Sequence, residues 1–189
     1  NYVANIIGEE YIIPTLGVWD RFEDIDFNKL PNQFVLKTTH GGGNDGVVIC
    51  RDKTKLDKNI ARKKINKSLQ TCIYQILKEW PYKDVKRRII AEKYIRDNNS
   101  DDLPDYKFFC FNGVVRFCQV ISGRDSTMTI DFYDKEWNHM PFHEPKSYPF
   151  SSFKQEKPTN YDKMWELASI LSNNIPFIRV DFYEVNQKI

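Results

Sequence analysis

Apolar and polar positions alternate in short blocks along this chain, and glycine, proline and asparagine break the blocks apart. One block organises the rest. Phe34, Val35 and Leu36 form an apolar run that ends in Lys37. A loop with Gly41, Gly42, Gly43 and Gly46 follows, and Val47, Val48 and Ile49 lead away from it. This pattern predicts strand, glycine loop, strand, with Lys37 at the mouth of the loop. Upstream, Tyr11–Pro14 and Leu16–Trp19 read as extended pieces within a breaker-rich stretch over 1–33. Downstream, Leu56, Ile60, Ile65, Leu69, Ile73, Ile76 and Leu77 recur at helical spacing, with Lys58, Arg62, Lys63 and Lys67 on the other face. They predict one amphipathic helix closed by Pro81.

A strand over 88–95 then runs into the polar segment 97–102, which reads as a surface linker. Tyr106–Phe111 and Val114–Ile121 flank Asn112-Gly113, the strongest short hairpin signal in the chain. A third strand over 127–133, a turn at 134–137 and a long proline-bearing loop over 138–158 follow. Met164, Leu167, Ala168 and Leu171 mark a second helix, and an apolar strand over 177–185 comes last. The order predicts an α+β protein of two lobes with mostly antiparallel sheets and flanking helices. The expected segments are 1–33, belonging to a larger lobe; 34–96, a small lobe carrying the glycine flap; and 103–189, the larger lobe. A nucleotide would lie in the cleft between the lobes.

Composition narrows the partners. The chain has 189 residues, of which 41% are hydrophobic, enough for a proper core. A formal net charge of +2 gives no reason to invoke nucleic acid or an anionic membrane. The four cysteines (Cys50, Cys72, Cys110, Cys118) form no C-x-x-C pair and sit in apolar runs. They read as buried free thiols of a reducing, cytoplasmic compartment. No apolar run reaches transmembrane length and no signal peptide is apparent.

The glycine loop admits two readings. Glycines let backbone N–H groups approach a ligand, and such groups beside one ammonium suit a polyphosphate. A glycine-rich turn of no chemical consequence has the same composition. The loop ends Asn44-Asp45-Gly46 and runs into β-formers, so neither the Gly-Lys-Ser/Thr phosphate loop nor the dinucleotide fingerprint is present. A flap over ATP, with Lys37 before the glycines, fits what remains. His40 abuts the loop and suits either a phosphate contact or a loop-shaping role.

Asp105 and Lys107 alternate on one strand, with Arg116 and Arg124 on or beyond the next. They could hold phosphate and ribose, or form a solvent-facing row. Asp181 interrupts the final apolar strand, where a carboxylate must be paired or bound to a cation. Mg²⁺ on a nucleotide and an ion pair with Arg179 are the two options. His139 and His143 are four apart, but the intervening Pro141 argues against a helical zinc site.

These stretches together resemble the ATP-grasp superfamily, in the branch typified by the teichuronopeptide-biosynthesis protein (TupA-like). The matching pieces are LPNQFVLKTTHGGG at 30–43, AEKYI at 91–95, DYKFFCFNG at 105–113, TIDFYDKEWN at 129–138 and IRVDFYEV at 178–185. They occur in the family's order. The resemblance implies ATP held between two lobes, with Lys37 on the phosphates and Gly41, Gly42, Gly43 and Gly46 covering them. It implies an adenine hinge at Glu92, Lys93, Tyr94 and Ile95, a phosphate contact at Lys107, a ribose-side position at Asp105 and a first Mg²⁺ ligand at Asp181. Arg124 matches a substrate- or phosphate-binding arginine loosely. The family's second magnesium carboxylate would follow Ile189 and its leading segment would precede Asn1, so the chain is expected to be trimmed at both ends.

The activity that the resemblance implies is an ATP- and Mg²⁺-dependent carboxylate–amine ligase working through an acylphosphate. Its partners would be ATP, a carboxylated unit and an amine, in bacterial surface polysaccharide or peptide-polymer biosynthesis, alongside glycan-biosynthesis enzymes. Lys37, Lys107 and Arg124 would carry the catalytic charge. A phosphotransferase, a glycosyltransferase-associated accessory domain and a non-catalytic nucleotide-binding module are the alternatives.

Overall fold

A computed structural model describes residues 2–41, 46–71, 73–78, 80–98, 102–124, 126–141, 148–152 and 155–189. The chain forms two compact units. One is continuous, Ile13–Tyr94; the other joins residues 1–12 to 95–189. Residues 13–33 thus fold with the glycine-loop strands, and the later boundary falls at Tyr94–Ile95, just ahead of the polar segment. The named elements in chain order are α1 (Tyr2–Ile7), β1 (Thr15–Trp19), β2 (Phe34–Thr38), β3 (Val48–Cys50), α2 (Lys58–Gln70), α3 (Ile73–Leu77), β4 (Ile89–Lys93), β5 (Asp105–Phe111), β6 (Val114–Ser122), β7 (Thr129–Tyr133), α4 (Tyr161–Leu171) and β8 (Ile178–Phe182).

In the 13–94 unit an antiparallel sheet has the order β1-β4-β2-β3. Phe34, Leu36 and Thr38 of β2 point to the buried face and Val35 and Lys37 to the other, the period-two pattern of a half-covered strand. α2 covers the buried face through Ala61, Ile65 and Ser68. Asp57 caps it, its carboxylate accepting from the N–H groups of Asn59 and Ile60 at 2.8 and 3.0 Å. The single helix expected over 56–77 is interrupted. Thr71 leaves helical geometry at φ −79°, ψ 135°, and a short α3 starts at Ile73. Of the expected stripe, Ile65 is buried and Leu56 and Leu69 pack partly buried against the same core. Small Ala61 and Ser68 face the sheet because they allow close approach, and Ile60 is left 66% exposed.

The second unit holds an antiparallel sheet of order β7-β6-β5-β8. Asn112 and Gly113, at φ 52° and 81°, form the tight turn between β5 and β6. α4 lays Tyr161, Met164, Leu167, Ala168 and Leu171 against one face of this sheet. Val3 and Ile7 of α1 pack on the same core. Cross-strand registers define the faces. Lys107 lies opposite Asp181 on β8 and Gln119 on β6, so all three share the face away from α4. Tyr106, Val120, Asp131 and Phe182 share the helix-covered face. The fold is α+β with two antiparallel four-stranded sheets, consistent with an ATP-grasp-like architecture.

Candidate functional site

Five charged groups line up on the helix-free face of the second sheet. Lys107 is 8% exposed, and its Nζ donates to Asp181 Oδ2 at 2.7 Å and lies 3.2 Å from Asp105 Oδ1. Asp105, 4% exposed, pairs through Oδ2 with Arg124. Arg179 grips Asp181 with both arms of its fork, Nε to Oδ1 at 2.8 Å and Nη2 to Oδ2 at 2.9 Å. The row therefore runs Arg124, Asp105, Lys107, Asp181, Arg179. Three cations against two carboxylates leave one formal positive charge. Burial disfavours the charged form of Asp181, yet Arg179 and Lys107 outweigh it and hold the carboxyl below its usual range. Burial, reinforced by Asp105, raises the Tyr183 hydroxyl pKa well above its ordinary value.

The ion-pair arrangement is the one seen on this face. Asp105 and Lys107 form a buried pair instead of a solvated row, and Asp181 has its Arg179 partner together with Lys107. Arg116 is exposed on β6, at the irregular register after Phe109, outside this row.

In the 13–94 unit, Lys37 Nζ lies 2.6 Å from Glu92 Oε2 on the sheet face opposite α2. This pair joins the flap lysine to the first residue of the expected hinge. The loop roots are fixed to the end of α2. Thr38 Oγ1 is 2.8 Å from Ser68 Oγ, and His40 Nε2 is 3.1 Å from the carbonyls of both Ser68 and Thr71. His40 is 3% exposed, and two carbonyl partners make Nε2 the donor. Its imidazole shapes the loop root. Gly46 has φ +88°, and a Cβ there would collide with the Ser68 side chain. Close packing accounts for that glycine. Gly41 N–H donates to Thr38 O at 3.3 Å, and Gly42 and Gly43 lie outside the described residues. Of the hinge, Lys93 N–H donates to Pro14 O at 2.9 Å and Tyr94 OH receives Arg51 Nε at 3.3 Å. Ile95 opens the other unit.

The model of the TupA-like ATPgrasp family matches residues 1–189, the whole chain. The chain belongs to the TupA-like ATP-grasp family. No curated protein matches it with significance. In this TupA-like chain Asp105, Lys107, Arg179, Asp181 and the Lys37–Glu92 pair lie on the stretches that carried the resemblance, and Arg124 lies between two of them.

One polar constellation of this family member escaped the sequence reading. Asp131 is 1% exposed in the middle of β7, and its carboxylate accepts from Gln155 Nε2 at 2.8 Å, His139 Nε2 at 3.0 Å and the Ser151 N–H at 3.2 Å. It ties the loop after β7 to the helix-covered face. The signal was an acid inside an apolar strand, the pattern already noted at Asp181. His143 lies outside the described residues. No group of three or more His, Cys, Asp or Glu side chains able to hold a metal occurs among the described residues, and no helix there is long and apolar enough to cross a membrane.

Proposed function

We propose that this TupA-like ATP-grasp chain is a carboxylate–amine ligase that uses Mg-ATP. The observation that carries the reading is the net-positive row from Arg124 to Arg179, held in place by buried Asp105 and Lys107. A pre-organised cation row stabilises charge as it develops and costs no reorganisation at the moment of transfer. Lys107, Arg124 and, from the first unit, Lys37 would bind the phosphates. Glu92, Lys93, Tyr94 and Ile95 would bind the adenine through backbone groups, with Asp105 on the ribose side and the glycine loop over the phosphates.

A substrate carboxylate then attacks the γ-phosphorus, ADP leaves, and the amine displaces phosphate from the acylphosphate to give an amide. Alignment and charge neutralisation are the protein's contribution. Asp181 suits Mg²⁺ once phosphate is present, because that ion takes one or two carboxylates and completes its shell with phosphate oxygens and water. Bound there, it would neutralise the phosphoryl oxygens. The substrate class we propose is a carboxylated unit of a bacterial surface polysaccharide or peptide polymer, handled in the cytoplasm beside glycan-biosynthesis enzymes. Buried, unpaired Cys50, Cys110 and Cys118 accord with that compartment.

Calorimetric titration with a non-hydrolysable ATP analogue, with and without Mg²⁺, tests the binding half. Lys37→Ala should weaken binding about tenfold, the equivalent of about 1.4 kcal/mol. Unchanged affinity removes Lys37 from the site. Mass spectrometry of products tests the chemistry: an amide supports the ligase, whereas a stable phosphorylated product assigns a phosphotransferase. Binding with neither product would assign a nucleotide-binding module.

A further inference from the structure

Asp181 is clamped by cations of its own chain. The Arg179 fork engages both carboxylate oxygens, at 2.8 and 2.9 Å, and Lys107 adds a third contact at 2.7 Å. A bare divalent ion approaching this carboxylate meets two positive charges already seated on it. The two cations differ in exposure: 10% of the Lys107 side chain is open to solvent and 47% of the Arg179 side chain. A guanidinium binds phosphate in the same two-pronged way as it binds carboxylate. A phosphate arriving on this face therefore offers Arg179 an equivalent partner of greater charge.

We propose that Arg179 is an exchangeable guard of Asp181, holding the carboxylate until a polyphosphate takes the guanidinium, so that a divalent cation enters only together with phosphate. The exchange conserves ion pairs. The Arg179–Asp181 pair breaks, an Arg179–phosphate pair forms, and Asp181 becomes a cation ligand. Without phosphate the guard keeps free metal out. The polyphosphate arm rests on the nucleotide reading above; the exclusion of free metal does not.

The test is a Mn²⁺ titration followed by the loss of the free-ion electron paramagnetic resonance signal. It compares the full chain with Arg179→Gln, first without nucleotide and then with a non-hydrolysable ATP analogue. Without nucleotide, Arg179→Gln should bind Mn²⁺ about tenfold more tightly than the unmodified chain, within the 5- to 150-fold range usual for coupled sites. The Arg179→Gln/Asp181→Asn double variant should lose that gain. With the analogue, the Mn²⁺ affinities of the unmodified and Arg179→Gln chains should converge.

Equal Mn²⁺ binding by the two chains without nucleotide overturns the guard, as does a gain that survives in the double variant. Arg179→Lys, which keeps the charge without the fork, should give an intermediate affinity and stands in should Arg179→Gln not fold. Failure of the analogue to bind any variant would sink the nucleotide reading, while the nucleotide-free comparison would still judge the guard.

Discussion

Lys107 is the residue on which the charged row depends. Its ammonium separates Asp105 and Asp181, and its removal leaves two carboxylates facing each other with one arginine apiece. Breaking a buried pair by deleting one partner is costly. Lys107→Met should lower stability by about 3 kcal/mol in urea unfolding. The depressed Asp181 pKa sets a pH dependence with a definite sign. A carboxyl whose folded pKa lies below its unfolded value of about 3.9 contributes fully above that value, and the contribution fades as pH falls through the folded pKa. Urea midpoints of Asp181→Asn should therefore fall less steeply than those of the unmodified chain below about pH 4. An identical slope would mean that the clamp does not favour the ionised form. The Asp105–Lys107 and Arg179–Asp181 neighbours could be read along single strands, but the meeting of Lys107 with Asp181 could not. Lys107 and Asp181 meet because β5 and β8 pair in one particular register, and a slip by one residue would send Asp181 to the opposite face.

At the scale of elements, the flap's roots and α2 act together. Thr38, His40 and Gly46 all touch the Ser68–Thr71 end of α2. Gly46→Ala adds a Cβ where Ser68 already sits, at a φ that alanine rarely adopts. It should destabilise the 13–94 unit by about 1–3 kcal/mol. Asp57→Ala, which removes the N-cap, should cost about 1 kcal/mol, and both are measurable by chemical unfolding.

The same junction explains the limits of the sequence reading. Asn112-Gly113 and the α4 stripe were legible because each is decided locally, by turn chemistry and by a 3.6-residue period. The break at Thr71 was not. The apolar period runs on through Ile73 and Ile76, while the break accompanies His40 reaching two α2-end carbonyls from a distant loop. Nor was Asp131 assigned a partner, since Gln155 and Ser151 lie across an irregular loop.

At the scale of the molecule, each unit has its own core. Phe34, Leu36, Ile65 and Ile89 centre one, and Phe108, Cys118, Val120 and Met164 the other. Each core also carries a natural reporter. Cys50 lies in the first unit; Cys110 and Cys118 lie in the second, and burial raises the thiol pKa of all three. Buried, protonated thiols label slowly. Gly46→Ala should hasten alkylation of Cys50 in mild urea and leave Cys110 and Cys118 unchanged, as read by peptide mass spectrometry. Equal acceleration at all three would show that the two cores open as one.

The discontinuity of the second unit also sets an order of events on the ribosome. α1 is made before the 13–94 unit, but its packing partner α4 is made after it. At 5–20 residues per second, α1 must wait roughly 8–30 s for that partner to be made. Meanwhile the continuous 13–94 unit can complete its own sheet. The nascent chain thus carries Val3 and Ile7 uncovered until α4 is made, and this is the interval in which a chaperone has something to hold.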